Sequence, residues 1–357
     1  MSSASLESAL HFPLGEALPV SGNVLQVAPG VLWVRMALPF ALDHINLWLV
    51  RDQLEGPQGL REGWTVVDCG IHNDMTHKAW EQVFASALEG LPILRVLVTH
   101  MHPDHMGNAH WLCERWAAPL WMSSSEYQSA QLATSGLSNF GGEMTQAFFA
   151  QHGWSNPSDM QDVKARMTYY SGMVPQVPTR FHRLLGGQSF QMGGDRWRCI
   201  AGYGHSPEHM ALYCETRSLL ISGDMVLPKI STNVSVHAQE PECNALQNFL
   251  DSLDAFADLP DQTLVLPSHG RPFQGLHTRI AQLQTHHQER LTDVLEVCRQ
   301  APQSAHDSLP ILFKRELNFH QTTFAMGEAV AHLHVLWQNG QVQRQLGADG
   351  VYRFRAL

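Results

Sequence analysis

With 357 residues, 44% of them hydrophobic, and a net charge of −10, the chain is long enough for one large folded domain with an appendage. It is too acidic for a protein whose affinity rests on neutralising nucleic-acid phosphates. The six cysteines have no CxxC spacing, no stretch approaches the ~18–20 apolar residues of a membrane span, and Met1 to Ser8 carries no basic leader, so free thiols, no membrane partner and a cytoplasmic location are expected.

From Gly22 to Val67 apolar and polar residues alternate, as in Val31-Leu32-Trp33-Val34-Arg35-Met36, with Gly and Pro breaks between runs. This predicts strands and hairpins. A helix is predicted over Thr76 to Glu89 with Thr76 as its N-cap, followed by a strand over Leu94 to Val98. That strand feeds Thr99-His100-Met101-His102-Pro103-Asp104-His105, where three imidazoles and a carboxylate fall within six residues. In an extended turn His100 and His102 aim at one point while Asp104 and His105 turn the other way, so one segment can serve two adjacent metals.

Residues 123–178 read as short helices rich in Met and aromatics, among them Phe140, Phe148, Phe149, Tyr169, Tyr170 and Met173. They predict a helical insertion over the metal cleft, with Phe148 and Phe149 as pocket-lining candidates for an apolar substrate. His209 lies four residues after His205, a ligand spacing in a helix, but Met210 to Cys214 reads as strand, so His209 is assigned a supporting role. Beyond Pro302, helices over Ser308 to Glu316 and Phe324 to Gln338 precede a hairpin turned at Ala348-Asp349-Gly350. This 302–357 region is winged-helix-like. Its basic residues are offset by Asp307, Glu316, Glu328 and Asp349, which favours a packing or dimerisation role over nucleic-acid binding and leaves a homodimer open.

The chain resembles the metallo-β-lactamase superfamily across roughly residues 20–290. The likeness rests on His100-Met101-His102-Pro103-Asp104-His105, Gly204-His205, Ser222-Gly223-Asp224, Pro267-Ser268-His269-Gly270 and the upstream Val66-Val67-Asp68-Cys69-Gly70. The resemblance implies an α/β fold, the αβ/βα sandwich of that superfamily. It also implies a metal set in which His100, His102 and His205 hold one ion, Asp104, His105 and His269 hold a second, and Asp224 bridges them. By the same resemblance Asp68 supports the site from behind, and the loop bearing His44 runs beside it as a substrate contact. Two divalent ions are expected, Zn²⁺ first with Fe²⁺ or Mn²⁺ as alternatives, since His and carboxylate donors suit borderline ions.

Within that family His102 stands where flavodiiron proteins have Glu, and no flavodoxin-like region follows, which favours hydrolysis. After Asp224 the chain reads Met225-Val226-Leu227-Pro228, without the Gly-Cys-Gly-Arg segment of the glyoxalase-type thioesterases. The expected function is a dinuclear metal-dependent hydrolase of a small ester, thioester or lactone, with Asp104 and Asp224 catalytic and a small acyl molecule as its partner. A ribonuclease acting on single-stranded RNA is the alternative, because some lactamase-like hydrolases carrying such an appendage act on RNA.

Overall fold

The alternating run over residues 24–67 forms four strands in the computed structural model, which describes residues 7–56, 59–137 and 140–357. The expectation drawn from the leader falls, for residues 1–6, outside the described residues, as do positions 138–139 of the expected insertion. Strands β1 (Val24–Ala28), β2 (Val31–Ala37), β3 (His44–Gly56) and β4 (Gly59–Val67) pair antiparallel in chain order. β5 (Ile93–Leu97), β6 (Leu120–Met122) and β7 (Phe181–Arg183) then continue the sheet in parallel.

Parallel neighbours need crossovers. Helix α1 (Asp74–Ser86) joins β4 to β5, and α2 (Pro103–Met106) with α3 (Ala109–Trp116) joins β5 to β6. The expected insertion is the third crossover, from β6 to β7, and carries α4 (Ser124–Thr134), α5 (Gly142–Gln151), α6 (Pro157–Ala165) and α7 (Tyr169–Met173). The cap of α1 is Asn73 rather than Thr76. The Asn73 side chain accepts a hydrogen bond from the Thr76 N–H at 2.8 Å, and Thr76 is buried inside the first turn.

The second sheet holds β8 (Ser189–Met192), β9 (Asp195–Gly202), β10 (His209–Cys214), β11 (Leu219–Gly223) and β12 (Leu264–Pro267), with α8 (Ala245–Asp254) between the last two. Its order is β12-β11-β10-β9-β8, parallel between β11 and β12 and antiparallel elsewhere. Trp33 and Trp48 are cross-strand partners with stacked rings 6.1 Å apart, and they pack with Val67 and Leu97 against Trp197, Met210 and Ile221 of this sheet. Successive side chains leave a strand on opposite faces. Leu47, Leu49, Val66 and Val96 therefore point the other way, onto Trp80, Val83 and Leu112 of the helices. The architecture is the expected αβ/βα sandwich.

Helices α9 (Leu276–Gln300), α10 (Ala305–Leu312) and α11 (Phe319–Gln338) and the hairpin β13 (Val342–Leu346) and β14 (Tyr352–Ala356) complete the chain. Both α10 and α11 begin earlier than their apolar periodicity indicates, because the capping boxes Ser304/Asp307 and Asn318/Gln321 satisfy their first N–H groups. These helices share one continuous core with Tyr213 and Leu220 of the second sheet, Phe249 of α8, and Phe148, Phe149, Met160 and Val163 of α5 and α6. Helix α9 runs unbroken through the interval expected to separate the two regions.

Arg95 lies in the middle of β5 with 1% of its surface exposed. Its Nη2 meets Asp52 Oδ2 at 2.6 Å and the Gln191 carbonyl at 2.6 Å, while Asp52 Oδ1 accepts from the Gly193 N–H. The ion pair thus ties the first sheet to the β8–β9 hairpin of the second. Removing one partner leaves the other charge buried, so Asp52→Ala should cost about 3–5 kcal/mol of stability. Denaturant unfolding checks this, and an Asp52→Ala/Arg95→Met double variant should recover part of the loss.

Candidate metal centre

The parallel pairs β4–β5 and β11–β12 point their C-terminal ends to the same edge of the sandwich, and the chemistry-bearing residues follow those ends. Asp68 follows β4, the His100–His105 cluster follows β5, Asp224 follows β11 and His269 follows β12. His205 lies in the turn from β9 to β10. After the extended Thr99–His102 segment, Pro103 starts the short helix α2, whose first turn rotates Asp104 and His105 away from His102.

The structure brings all seven expected ligand residues together. His100 Nε2 lies 2.9 Å from His102 Nδ1 and 3.2 Å from His205 Nε2. On the other side His269 Nε2 is 3.4 Å from Asp104 Oδ2, and His105 Nε2 is 3.7 Å from the same oxygen. Asp224 stands between the groups, with Oδ1 at 3.5 Å from both His105 Nε2 and His269 Nε2 and Oδ2 at 3.5 Å from His205 Nε2. The ligand atoms of His100, His102 and His205 lie within 4.8 Å of one another, as do those of Asp104, His105 and His269 and those of His100, His105 and Asp224.

Three imidazole nitrogens converging on one point cannot all be satisfied by one another. His105 Nε2 and Asp224 Oδ1 are buried and have no hydrogen-bond partner among the described residues. Lone pairs aimed into a shared void are what a cation needs, and the donor set of imidazoles with two carboxylates fits a dinuclear metal site. The rings are held for that purpose from behind. His105 Nδ1 meets Asp68 Oδ2 at 2.8 Å, His205 Nδ1 the Asn233 carbonyl at 2.7 Å and His269 Nδ1 the His44 carbonyl at 2.7 Å. Each of these contacts places the proton on Nδ1 and frees Nε2 as a ligand.

Asp68 also accepts from the Thr99 N–H and hydroxyl, and its φ of 63° is the strained left-handed backbone that turns its carboxylate under the cluster. His209 opens β10, as its strand reading requires, and its Nε2 accepts the Asp224 N–H at 3.1 Å. It steadies Asp224 from the backbone side. His44 acts differently from its expected role. Its Nδ1 meets Asp43, its Nε2 accepts the Gly270 N–H at 2.8 Å, and both ring nitrogens are thereby occupied. Through its carbonyl it orients His269.

Electrostatically the two halves of the site differ. Burial and then the neighbouring imidazoles push His100 and His102 well below the usual histidine range. Burial acts the same way on His105 and His269, but facing carboxylates overcome it and raise them to about 9 and about 10. Burial would raise Asp104, yet His105 and His269 hold it at about 2.

A cleft of about 710 Å³ opens onto His102, Asp104, Asp224 and His269. Its walls include Phe40 and Leu42 of the β2–β3 loop and Phe140, Tyr169 and Met173 of the insertion. Phe313, Leu317 and Phe324 of the C-terminal region close the far side. Phe148 and Phe149 do not reach this cleft. They pack in the core shared by α5, α6 and the C-terminal helices, and border a separate void of about 30 Å³. Sequence reasoning also missed Glu126. Its carboxylate accepts from the Met101 N–H, the Ser206 hydroxyl and the Glu208 N–H, tying the loop of His100 and His102 to the loop of His205.

The chain belongs to the metallo-β-lactamase superfamily, whose family model matches residues 43–269; a second model, for the metallo-beta-lactamase-like C-terminal domain, matches residues 291–357. A beta-lactamase domain protein from Burkholderia ambifaria is 49% identical, with a TM-score of 0.93 over 99% of this chain and 100% of that one. The metallo-beta-lactamase family protein TTHA1429 from Thermus thermophilus is 27% identical, with a TM-score of 0.75 over 93% of this chain and all of that one. The probable metallo-hydrolase YqjP of Bacillus subtilis (strain 168) is 22% identical over 314 residues, spanning 86% of this chain and 92% of its own length. Among the described residues, no helix is long and apolar enough to cross a membrane.

The raised pKa values of His105 and His269 carry a measurable consequence. In the metal-free protein at pH 7 both rings are protonated, and ligation requires their Nε2 lone pairs. Metal binding should therefore release about two protons per chain, read by calorimetry in buffers of different ionisation enthalpy. Asp224→Ala, which removes the carboxylate standing between the two groups of ligands, should reduce the metal content measured by elemental analysis from about two ions per chain to one or fewer.

Proposed function

We propose that the chain is a dinuclear metal-dependent hydrolase of a small, apolar ester, thioester or lactone. The observation that carries this reading is a cleft with apolar walls that ends on two ligand carboxylates. Asp104 and Asp224 keep 19% and 11% of their side-chain surface accessible and line the cleft with His102 and His269, whereas His105 has none, so a carbonyl entering the cleft reaches the ligand set from this side. Such a cleft suits an acyl chain laid against Phe40, Phe140, Met173 and Phe324, with its carbonyl at the acidic end.

His100, His102 and His205 would hold one ion, Asp104, His105 and His269 the second, and Asp224 both, with Zn²⁺ the first candidate and Fe²⁺ or Mn²⁺ alternatives. Bound there, the pair would supply a hydroxide at neutral pH and polarise the carbonyl. The remaining work falls to the chain. Asp104, ionised across the neutral range, accepts a hydrogen bond from the attacking water and fixes its lone pair toward the carbonyl carbon. Asp68, the Asn233 carbonyl and the His44 carbonyl keep three rings from rotating as charge develops, and the apolar walls exclude bulk water from the carbonyl.

An RNA substrate would need cations and stacking surfaces along a groove. Among the described residues Arg315 is the lysine or arginine lining the cleft, and its guanidinium donates to Gln321 Oε1 at 2.9 Å.

The test is a parallel screen of metal-loaded protein against p-nitrophenyl esters, acyl thioesters, lactones and single-stranded RNA. Acyl hydrolysis should dominate. RNA cleavage that survives repurification, disappears in Asp224→Ala and exceeds every acyl activity would overturn the proposal. Asp104→Asn should depress kcat by more than its loss of metal accounts for. Phe324→Ala should raise KM for medium-chain esters about tenfold or more, as expected for lost burial of a ring. Phe148→Ala should instead lower stability by about 3–5 kcal/mol, the cost of an aromatic removed from a core.

A further inference from the structure

One face of α11 lines the cleft through Gln321, Phe324, Ala325 and Glu328, spaced i, i+3, i+4 and i+7. Glu328 is the ionisable member of this face. Its neighbours along the wall include Phe313, Leu317 and Phe324, and burial pushes its carboxyl up to about 7, against one stabilising hydrogen bond from Asn233. That bond runs from Asn233 Nδ2 to Oε2 at 3.1 Å and is the side-chain hydrogen bond of Glu328 among the described residues.

The Asn233 oxygen is taken as well, since its Oδ1 accepts the Ser235 hydroxyl at 2.9 Å. What remains for a ligand at this point of the cleft is a carboxyl oxygen whose orientation Asn233 fixes through its twin. Glu328 keeps part of its surface open to the cleft, and its second oxygen, without a side-chain partner among the described residues, can accept from a donor that arrives with the ligand.

We propose that Glu328 is a specificity-determining residue, accepting a hydrogen bond from a hydroxyl or amide N–H carried on the acyl chain of the substrate. The inference rests on the reading of the cleft as an acyl-binding site, and assigns it a narrower class: chains that are apolar along most of their length but bear one neutral donor. Recognition is thereby built by the C-terminal region rather than by the metal ligands. An acceptor held in place inside a cleft discriminates against analogues that leave it unpaired.

The experiment measures binding of octanamide and its 2-, 3- and 4-hydroxy derivatives to metal-loaded protein by calorimetry, with p-nitrophenyl octanoate hydrolysis followed in parallel. At least one hydroxy amide should bind about ten- to a hundredfold more tightly than octanamide. Glu328→Leu should bring that ratio to about one. Glu328→Gln keeps the volume and, with its one carbonyl oxygen accepting from Asn233, turns an NH2 donor toward the ligand, so it should also bring the ratio to about one, which guards against a folding defect in the leucine variant.

The assignment is overturned if no hydroxy amide is preferred, or if Glu328→Leu keeps the preference. It is also overturned if the variant loses metal and affinity for every amide alike, for Glu328 would then act on His205 through Asn233. Absence of ester turnover with the binding ratio intact would overturn the hydrolytic reading and leave this one standing. Turnover without the ratio would do the reverse.

Discussion

The structure depends on the crowding of ligand groups at one edge. Five imidazoles and two carboxylates meet there, and His105 Nε2 and Asp224 Oδ1 are left buried without a hydrogen-bond partner among the described residues. Left to themselves such side chains would turn outward. They stay because strand ends fixed by two sheets deliver them to one edge, and because backbone carbonyls and Asp68 take the protons on the far side of three rings. The stability of the sandwich core, with Trp33 and Trp48 at its centre, is what allows the edge to be unfavourable in the absence of a cation. Metal binding then converts this local cost into affinity, in keeping with coupling between folding and ligation.

The asymmetry of the two halves follows from which charges face which. His100, His102 and His205 face mainly one another and are held neutral, ready to ligate. His105 and His269 face Asp104 and Asp224 and bind protons tightly until something displaces them. One half is thus prepared by desolvation and the other by charge pairing. Asp68 contributes most to the rise of His105 from behind, whereas His269 is raised by Asp224 and Asp104, the two carboxylates that also line the cleft.

Much of this was legible in the sequence, for reasons that differ by residue. The cluster from His100 to His105 announces itself because a strand followed by closely spaced imidazoles has few other uses, and the strand reading of Met210 to Cys214 separates His209 from the ligands by periodicity alone. Phe148 and Phe149 misled because α5 is apolar on more than one side: its neighbours in α6 and in the C-terminal helices cannot be seen from local spacing, and they claim the face that sequence assigned to the cleft. His44 misled in another way. A side chain near the site was expected, whereas the contact that matters is its backbone carbonyl, which no residue type signals. Glu126 was invisible because a glutamate in the first turn of a helix reads as an ordinary solvated residue, and its burial depends on loops separated from it by some eighty positions of chain.

The C-terminal region illustrates how an appended element acquires a functional role without supplying chemistry. Its helices were legible, and so was the hairpin, but their meaning was not, because nothing in an amphipathic pattern says which body it packs upon. Once α9 carries the chain across the outer face of the second sheet and the capping boxes fix where α10 and α11 begin, the segment between those two helices is forced over the open edge. Phe313 and Leu317 then roof the cleft and α11 walls it. The sandwich alone would present its metal ligands on a broad surface; the appendage makes that surface a pocket with a polar acceptor inside. The ligands thus come from the strand ends of the sandwich, while Gln321, Phe324 and Glu328 of the appended helix wall the cleft above them with residues of the β2–β3 loop and the insertion.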